Sequence, residues 1–183
     1  MKYNEKTFSG NIERLRRPER MAVLEVPRVV DLSIKGINPA SVLDIGCGSG
    51  IFLEAFSSVG LFCAGIDFKP EMLHATRGFV LNARVAAATA GQNPFPDKSF
   101  DLVFMAHLLH EVDDPAITLK EACRMCKKRI AVLEWQYREE EMGPPLHHRL
   151  SPDTMGAAVK NAGLKSVKPI ILKCLVLYLI DLK

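Results

Sequence analysis

The stretch of sequence that decides the fold reads Val42-Leu43-Asp44-Ile45-Gly46-Cys47-Gly48-Ser49-Gly50. A short apolar run is followed by glycines at every second position, and a helix-like run begins at Ile51. Glycine has no Cβ atom, so the backbone can adopt a positive φ there and pass close to a ligand. The first turn of the following helix presents free N–H groups. The pattern therefore predicts a strand that turns sharply into a helix around a nucleotide-like ligand.

Strand and helix patterns alternate on both sides of this stretch. Helices are expected at residues 51–59 and 70–82, after Asp114 and after Ser151. Strands are expected at residues 41–44, 62–67, 84–88, 100–106, 130–135, 167–172 and 175–180. The brief connection between the last two strands indicates an antiparallel pair. The sequence therefore predicts an α/β protein with a doubly wound, seven-stranded sheet, mostly parallel with an antiparallel C-terminal strand and helices on both faces.

Length and composition indicate one domain over residues 1–183, with residues 1–38 as an N-terminal helical cap. Pro18 and Pro27 interrupt the helical pattern of this cap and predict two short helices. Whether the cap packs against the sheet or closes over a ligand stays open at this point.

Charge and hydropathy exclude some function classes. A net charge of +3 is too small to argue for nucleic-acid binding, and an 18-residue apolar run, which a membrane-spanning helix would need, does not occur. Five scattered cysteines do not form a disulfide framework, so a cytoplasmic location is expected. The sequence does not determine the oligomeric state, and a homodimer is one alternative that stays open.

The residues at the ends of the strands narrow the choice of ligand, since ligands of such sheets bind there. Asp67 ends the second strand, where its carboxylate can accept hydrogen bonds from both hydroxyls of a ribose. A dinucleotide site shares this feature. However, the glycines follow G-x-G-x-G instead of G-x-G-x-x-G, and Asp44 beside them would repel a pyrophosphate. S-adenosylmethionine, which carries an ammonium and a sulfonium but no phosphate, fits these residues better.

Three motifs of the chain resemble those of the class I S-adenosylmethionine-dependent methyltransferases. The resemblance is to the "methyltransferase domain 11" type, which includes the ubiquinone/menaquinone C-methyltransferases, and covers roughly residues 39–183. It implies a Rossmann-like fold, S-adenosylmethionine as cofactor and methyl transfer as the reaction. The motifs are residues 42–50 (above), residues 65–73 (Gly-Ile-Asp-Phe-Lys-Pro-Glu-Met-Leu) and residues 94–103 (Pro-Phe-Pro-Asp-Lys-Ser-Phe-Asp-Leu-Val).

The resemblance implies a cofactor role for residues at four strand ends. Phe68 and Met72 are expected to flank the adenine, and Asp67 to hold the ribose. Ala106 and His107 are expected below the cofactor, after the fourth strand. The residues expected at the methionine end are Asp44, Gly46, Gly48 and Gly50, with a backbone contact from Cys47.

One position departs from the family pattern. Many members have an acid followed by a small residue where this chain has Thr89-Ala90, and that acid binds the adenine amino group. A threonine hydroxyl accepts a weaker, neutral hydrogen bond. We therefore expect Thr89 and Ala90 to contact the adenine with reduced affinity for the cofactor.

The methyl acceptor is expected near the ends of the fourth and fifth strands. His110 is a candidate proton acceptor or substrate contact, with packing against the cofactor as the alternative. Trp135 and Arg138 are candidate substrate contacts, although Trp135 also suits core packing. The loop of residues 138–149 is either an acceptor lid or a solvated loop.

Other signals are weaker or absent. His147-His148 lacks further ligands at recognisable spacing, so no metal site is predicted. Cys123 and Cys126 are expected on one face of a helix as buried thiols. The segment after the fourth strand lacks the Asn/Asp-Pro-Pro-aromatic motif of nucleic-acid amino-methyltransferases, and this favours a small-molecule acceptor. Two rival functions remain: a protein that binds S-adenosylmethionine or S-adenosylhomocysteine without catalysis, and an NAD-dependent oxidoreductase.

Overall fold

The computed structural model describes residues 12–182, which form helices α1–α7 and strands β1–β7. The helices are α1 (Ile12–Leu15), α2 (Pro18–Leu24), α3 (Val26–Ile34), α4 (Ile51–Ser58), α5 (Pro70–Phe79), α6 (Pro115–Met125) and α7 (Pro152–Asn161). The strands are β1 (Ser41–Ile45), β2 (Phe62–Asp67), β3 (Arg84–Ala87), β4 (Phe100–Ala106), β5 (Cys126–Trp135), β6 (Lys168–Ile171) and β7 (Leu175–Asp181). A 3₁₀ turn at Leu146–His148 precedes α7.

The strands form one sheet in the order β3-β2-β1-β4-β5-β7-β6. Strands β1 to β5 pair in parallel, and β7 is antiparallel to both β5 and β6. The predicted doubly wound sheet is therefore confirmed. The chain moves outward from β1 to β3 and then returns to place β4 on the other side of β1. This reversal leaves a crevice at the carboxyl ends of β1 and β4, where ligands of such sheets bind.

Helices cover both faces of the sheet, as predicted, because each strand of the centre is apolar on both sides. Helices α3, α4 and α5 pack on one face around Leu53, Phe56 and Phe104. Helices α6 and α7 pack on the other face around Leu119 and Met155. The residues between β3 and β4 form no helix, so that crossover is a loop.

The predicted helix start at Asp114 is confirmed by its capping geometry. The Asp114 carboxylate accepts hydrogen bonds from the backbone N–H groups of Ala116 and Ile117, at 2.8 and 3.3 Å. Pro115 occupies the first helical position, where no N–H donor is needed.

The start of β5 differs from the prediction, because α6 ends at Met125 and the strand begins at Cys126 instead of residue 130. Cys126 therefore does not lie on the helix face expected for it. It pairs with Phe100 of β4, and the Lys98 ammonium binds its carbonyl oxygen at 2.8 Å. The sequence did not predict this part of β5, because residues 127–129 are basic and do not look like a buried strand. Arg129 is nevertheless buried, because its guanidinium binds Asp181 at 2.6 Å and two carbonyls at the end of α3.

The N-terminal segment also differs from the prediction, since residues 12–34 form three short helices and not two. A break at Glu25, with φ 46°, separates α2 from α3. Residues 1–11 of the predicted cap, and Lys183, lie outside the described residues. Among residues 12–182, none of the helices is long and apolar enough to cross a membrane.

Gly65 of β2 allows the glycine-rich turn to pack closely against the sheet. A Cβ atom at Gly65 would lie 2.6 Å from Leu53 Cδ1 and 2.9 Å from Cys47 Sγ. Both neighbours are buried, so the missing side chain at Gly65 determines how near the turn comes to β2.

We expect Gly65→Ala to lower the free energy of unfolding by about 1–3 kcal/mol, because Leu53 and Cys47 must move within a packed core. Gly78→Ala is the matched control, since Gly78 lies in α5 with no heavy atom within 4 Å of an added Cβ. Alanine there is expected to stabilise by about 0.5–1 kcal/mol. Urea denaturation measures both changes, and equal effects of the two substitutions would contradict the close packing.

Candidate cofactor and acceptor site

A cavity of about 760 Å³ lies at the carboxyl ends of β1, β2, β4 and β5. This volume is in the range of about 300–1,000 Å³ that small-molecule and cofactor sites occupy. Most of the sequence-predicted site residues line it, namely Asp44, Gly46, Cys47, Gly48, Asp67, Phe68, Met72, Ala106, His107, His110 and Trp135. The fold thus brings together residues from four separate strand ends.

The glycine-rich turn has the predicted backbone conformation. Gly46, Gly48 and Gly50 have φ values of 73°, 52° and 77°, in the region that favours glycine. The N–H of Gly46 donates to the carbonyl of Ile66 at 2.8 Å, which holds the turn against the end of β2. Gly50 lies behind the cavity wall, beside Thr76 of α5.

Asp67 lies at the end of β2, directly beside this turn. Its two carboxylate oxygens accept the N–H groups of Gly48 at 3.0 Å and Lys69 at 2.9 Å. Burial raises the pKa of Asp67, and the two N–H donors act in the opposite direction. Each oxygen keeps a further lone pair, so the carboxylate can still accept hydrogen bonds from a ligand in the cavity.

Asp44, near the end of β1, is the most unusual charged group of the site. The residue is 2% exposed, and its Oδ1 has no hydrogen-bond partner among residues 12–182. Burial raises the pKa of Asp44 well above its usual value, and the nearby charge of Asp67 raises it further. A buried carboxylate without a counter-charge is costly, so this part of the cavity is suited to a cationic ligand group.

His107 follows β4 in a left-handed conformation with φ 54°. Both of its ring nitrogens are shielded from solvent and lack a partner among the described residues. Burial lowers the pKa of His107 well below 6.5, and the charges of Arg20 and His110 add to this effect. Its ring centroid lies 5.0 Å from that of Trp135. The cavity therefore contains a neutral imidazole, with one donor and one acceptor available to a ligand.

His110 is held by a buried carboxylate at the end of β5. Its Nδ1 lies 2.7 Å from Glu134 Oε2, and its backbone N–H donates to Glu134 Oε1 at 3.3 Å. Glu134 is 1% exposed. This double contact fixes the ring, whose Nε2 lies 3.9 Å from Glu111 Oε1. The sequence analysis singled out His110 but missed Glu134, which lies 24 residues away and resembles any other strand residue.

The 138–149 loop is held in place by Arg149 and is not a freely solvated loop. Its buried guanidinium donates to four backbone carbonyls at 2.8–3.0 Å, those of Gln136, Arg138, Met142 and Pro144. The guanidinium also lies over the Trp135 ring, 5.4 Å from the ring centroid. The loop is held so that residues 141–144 line the cavity.

The N-terminal helices form another wall of the cavity. Helix α3 packs against the sheet, whereas α1 and α2 line the cavity. The cavity-lining charged residues in this wall are Arg14, Arg17, Glu19 and Arg20. The sequence analysis missed them, although three arginines at three-residue spacing are a visible signal.

Besides Gly50, three predicted site residues lie outside the cavity lining, namely Thr89, Ala90 and Arg138. Thr89 is exposed and bridges to Gln92, while Ala90 packs against the core below α6. Their contact with adenine stays a prediction. Arg138 binds Glu140 and the carbonyl of Lys173 on the outer side of the loop.

The five cysteines, all within residues 12–182, are free thiols. No group of three His, Cys, Asp or Glu side chains there is placed to hold a metal ion. Burial raises the pKa of Cys126 to about 11, so this thiol stays protonated near neutral pH.

We expect Asp44→Asn to raise the thermal stability of the ligand-free protein at neutral pH, because the substitution removes an uncompensated buried charge. The raised pKa of Asp44 means that ionisation costs more in the folded state, so the wild type loses stability as pH rises above about 3.9. Each kcal/mol gained raises Tm by about 2–4 °C in a chain of this size. Calorimetry should show the gain shrinking towards acidic pH, and a less stable variant at neutral pH would contradict this account.

Comparison with known proteins identifies the fold and the motifs. A family model described as "Methyltransferase domain" matches residues 43–131. The uncharacterized methyltransferase YcgJ of Bacillus subtilis is 32% identical over 130 residues, which are 68% of this chain and 51% of that protein. The demethylmenaquinone methyltransferase of Tropheryma whipplei is 33% identical over 107 residues, 56% of this chain and 45% of that protein. The chain thus spans about half the length of these curated relatives.

Two solved structures resemble this chain over a larger share of its length than these relatives do. A SAM-dependent methyltransferase from Aquifex aeolicus has a TM-score of 0.82 and 25% identity, over 93% of this chain and 96% of that one. Human N-acetylserotonin methyltransferase, solved in complex with SAM, shares the fold with a TM-score of 0.70 and 18% identity, over 89% of this chain and 53% of that one. The chain belongs to the class I methyltransferases, whose cofactor is S-adenosylmethionine.

Proposed function

We propose that the protein transfers the methyl group of S-adenosylmethionine to a small-molecule acceptor within the cavity. The observation that carries this proposal is the buried, unpaired carboxylate of Asp44 beside the glycine-rich turn. A cationic cofactor supplies the missing counter-charge, whereas the pyrophosphate of NAD would be repelled. When bound, S-adenosylmethionine supplies an activated methyl group on its sulfonium, and the protein contributes mainly position and orientation.

In this proposal the two carboxylates divide the cofactor between them. Asp44 binds the ammonium of the methionine end, and Asp67 accepts hydrogen bonds from the ribose hydroxyls. The N–H donors of Gly48 and Lys69 hold the Asp67 carboxylate in place for this role. Phe68 and Met72 also line this part of the cavity and would contact the adenine.

The acceptor would lie between His107, His110 and Trp135, which line the cavity after β4 and β5. The α1–α2 wall and the 138–149 loop enclose this region, so the space suits a small molecule better than a nucleic acid. The described part of the predicted cap, residues 12–38, then covers a single methyltransferase domain.

His110 is the group best placed to accept a proton from the acceptor. Its Nδ1 contact with buried Glu134 orients the ring and would stabilise the imidazolium that forms. The arrangement is of use only when the nucleophile must lose a proton, as a hydroxyl, thiol or acidic carbon does. This favours acceptors of that kind over amines that are already neutral.

Turnover is the direct test of the proposed function. The protein is incubated with S-adenosylmethionine and a panel of small hydroxyl, thiol, amine and acidic-carbon acceptors, and formation of S-adenosylhomocysteine is measured. We expect turnover with at least one class, and a loss of about 10–100-fold in cofactor affinity for Asp67→Asn. Asp97→Asn is the matched control, since Asp97 is exposed and pairs with Arg124 away from the cavity. Binding without any turnover would favour the non-catalytic alternative, and preference for NAD would favour the oxidoreductase.

The role of Glu134 is tested with an acceptor from that panel. Glu134→Gln is expected to reduce kcat by about 10–100-fold without changing the affinity for S-adenosylmethionine. It should also move the acidic limb of the pH–rate profile to lower pH, because imidazolium loses its neighbouring anion. Glu121→Gln, which removes a carboxylate paired with Arg124 on α6, should change neither quantity. An unshifted profile in Glu134→Gln would show that Glu134 has a structural role alone.

A further inference from the structure

Arg20 of α2 is a cavity-lining cation for which the described part of the chain provides no ion-pair partner. It is partly withdrawn from solvent, and its Nε is shielded without a hydrogen-bond partner among residues 12–182. Other buried or half-buried arginines are matched: Arg129 binds Asp181 at 2.6 Å, and Arg124 binds Glu121 at 2.7 Å. Arg149 binds backbone carbonyls. Arg20 is therefore the exception that requires a physical reason.

The surroundings of Arg20 make its positive charge costly in the ligand-free protein. Burial lowers the pKa of Arg20, the charge of Arg14 lowers it further, and Glu111 only partly opposes these effects. A partly desolvated cation beside another cation is stabilised when an anion binds. The site thus gains from a negatively charged ligand group.

The position of Arg20 places such a group at the acceptor end of the cavity. Its charge acts on His107, whose two ring nitrogens have no partner among the described residues. A bound anion could take hydrogen bonds from the planar guanidinium and from the N–H of neutral His107. The guanidinium fork matches the two oxygens of a carboxylate.

Charges of both signs line the cavity around Arg20. Arg14, Arg17 and Arg20 lie there with Glu19, Glu111 and Glu141. Because these charges nearly balance, a singly charged group such as a carboxylate suits the region better than a doubly charged phosphate.

We propose that Arg20 binds a carboxylate group of the methyl acceptor, so that the substrate class is a small carboxylate-containing molecule. The inference rests on the proposed function, since it places the acceptor in the same cavity as S-adenosylmethionine. Asp44 and Asp67 then bind the cofactor at one end, and Arg20 with His107 binds the acceptor at the other.

The test uses benzoate and its neutral analogue benzamide as probes of the protein saturated with S-adenosylhomocysteine. Trp135, the single tryptophan of the chain, lines the cavity and reports occupancy by its fluorescence. We expect benzoate to bind more tightly than benzamide, and Arg20→Gln to weaken benzoate roughly 10- to 100-fold with benzamide unchanged. Arg20→Lys should retain part of the affinity, because it keeps the charge but loses the fork.

Arg28→Gln is the control, since Arg28 pairs with Glu25 at 2.8 Å and does not line the cavity. Equal benzoate affinity in the wild type and Arg20→Gln, no benzoate binding at all, or equal binding of the two probes would overturn the inference. The affinity for S-adenosylhomocysteine is measured in parallel. If the protein binds S-adenosylhomocysteine but the substitution Arg20→Gln leaves the benzoate affinity unchanged, only the inference fails. If the wild type does not bind S-adenosylhomocysteine, the proposed function fails and this inference fails with it.

Discussion

The Asp44 carboxylate stands near the end of β1 with 2% of its surface exposed and one oxygen without a partner among residues 12–182. Folding withdraws this charge from water and places it near a second carboxylate, Asp67, without providing a cation. The pKa of Asp44 rises as a result. A core that only needed stability would place an apolar residue here, and this is why we propose that the carboxyl group serves to bind a cationic ligand.

The rest of the site depends on how the sheet reverses at this point. Because β4 returns beside β1, the turn after Asp44 and the turn containing His107 and His110 face the same crevice. Gly65 lets the glycine-rich turn lie close to β2, which brings Gly48 within 3.0 Å of Asp67. The 138–149 loop, held by Arg149, and helices α1 and α2 then line the other side of the cavity, where the acceptor is proposed to bind.

The sheet, most strand limits and most residues of one end of the cavity lining could be predicted because their signals are local in sequence. The three glycines, Asp44 and Asp67 lie within one strand–turn–helix–strand segment, so their positions in the site can be inferred from that segment alone. The acceptor end could not be predicted in the same way, since its properties arise from distant pairs. Glu134 acquires its proposed role only because β5 lies next to β4, and Arg20 is unusual only because the fold gives it no ion-pair partner among residues 12–182.

The start of β5 and the position of Thr89 illustrate the same limit. The basic residues 127–129 indicate a surface segment when only the sequence is considered. In the structure, Arg129 is buried because it binds Asp181 and two carbonyls at the end of α3. Thr89 follows β3, a strand that ends at Ala87, and is not among the residues that line the cavity. The resemblance gave Thr89 a role from its position in the sequence, whereas the cavity lining depends on the path of the loop after β3, so its contact with adenine stays a prediction.

The central claim is that the Asp44 carboxylate binds a cationic cofactor, and calorimetric titration with S-adenosylmethionine over a series of pH values tests it directly. The wild type should bind more tightly as pH rises, because the bound cation favours the ionised carboxylate. Asp44→Asn should bind at least about tenfold more weakly and lose this pH dependence. Equal affinity and equal pH dependence in the two proteins would contradict the account.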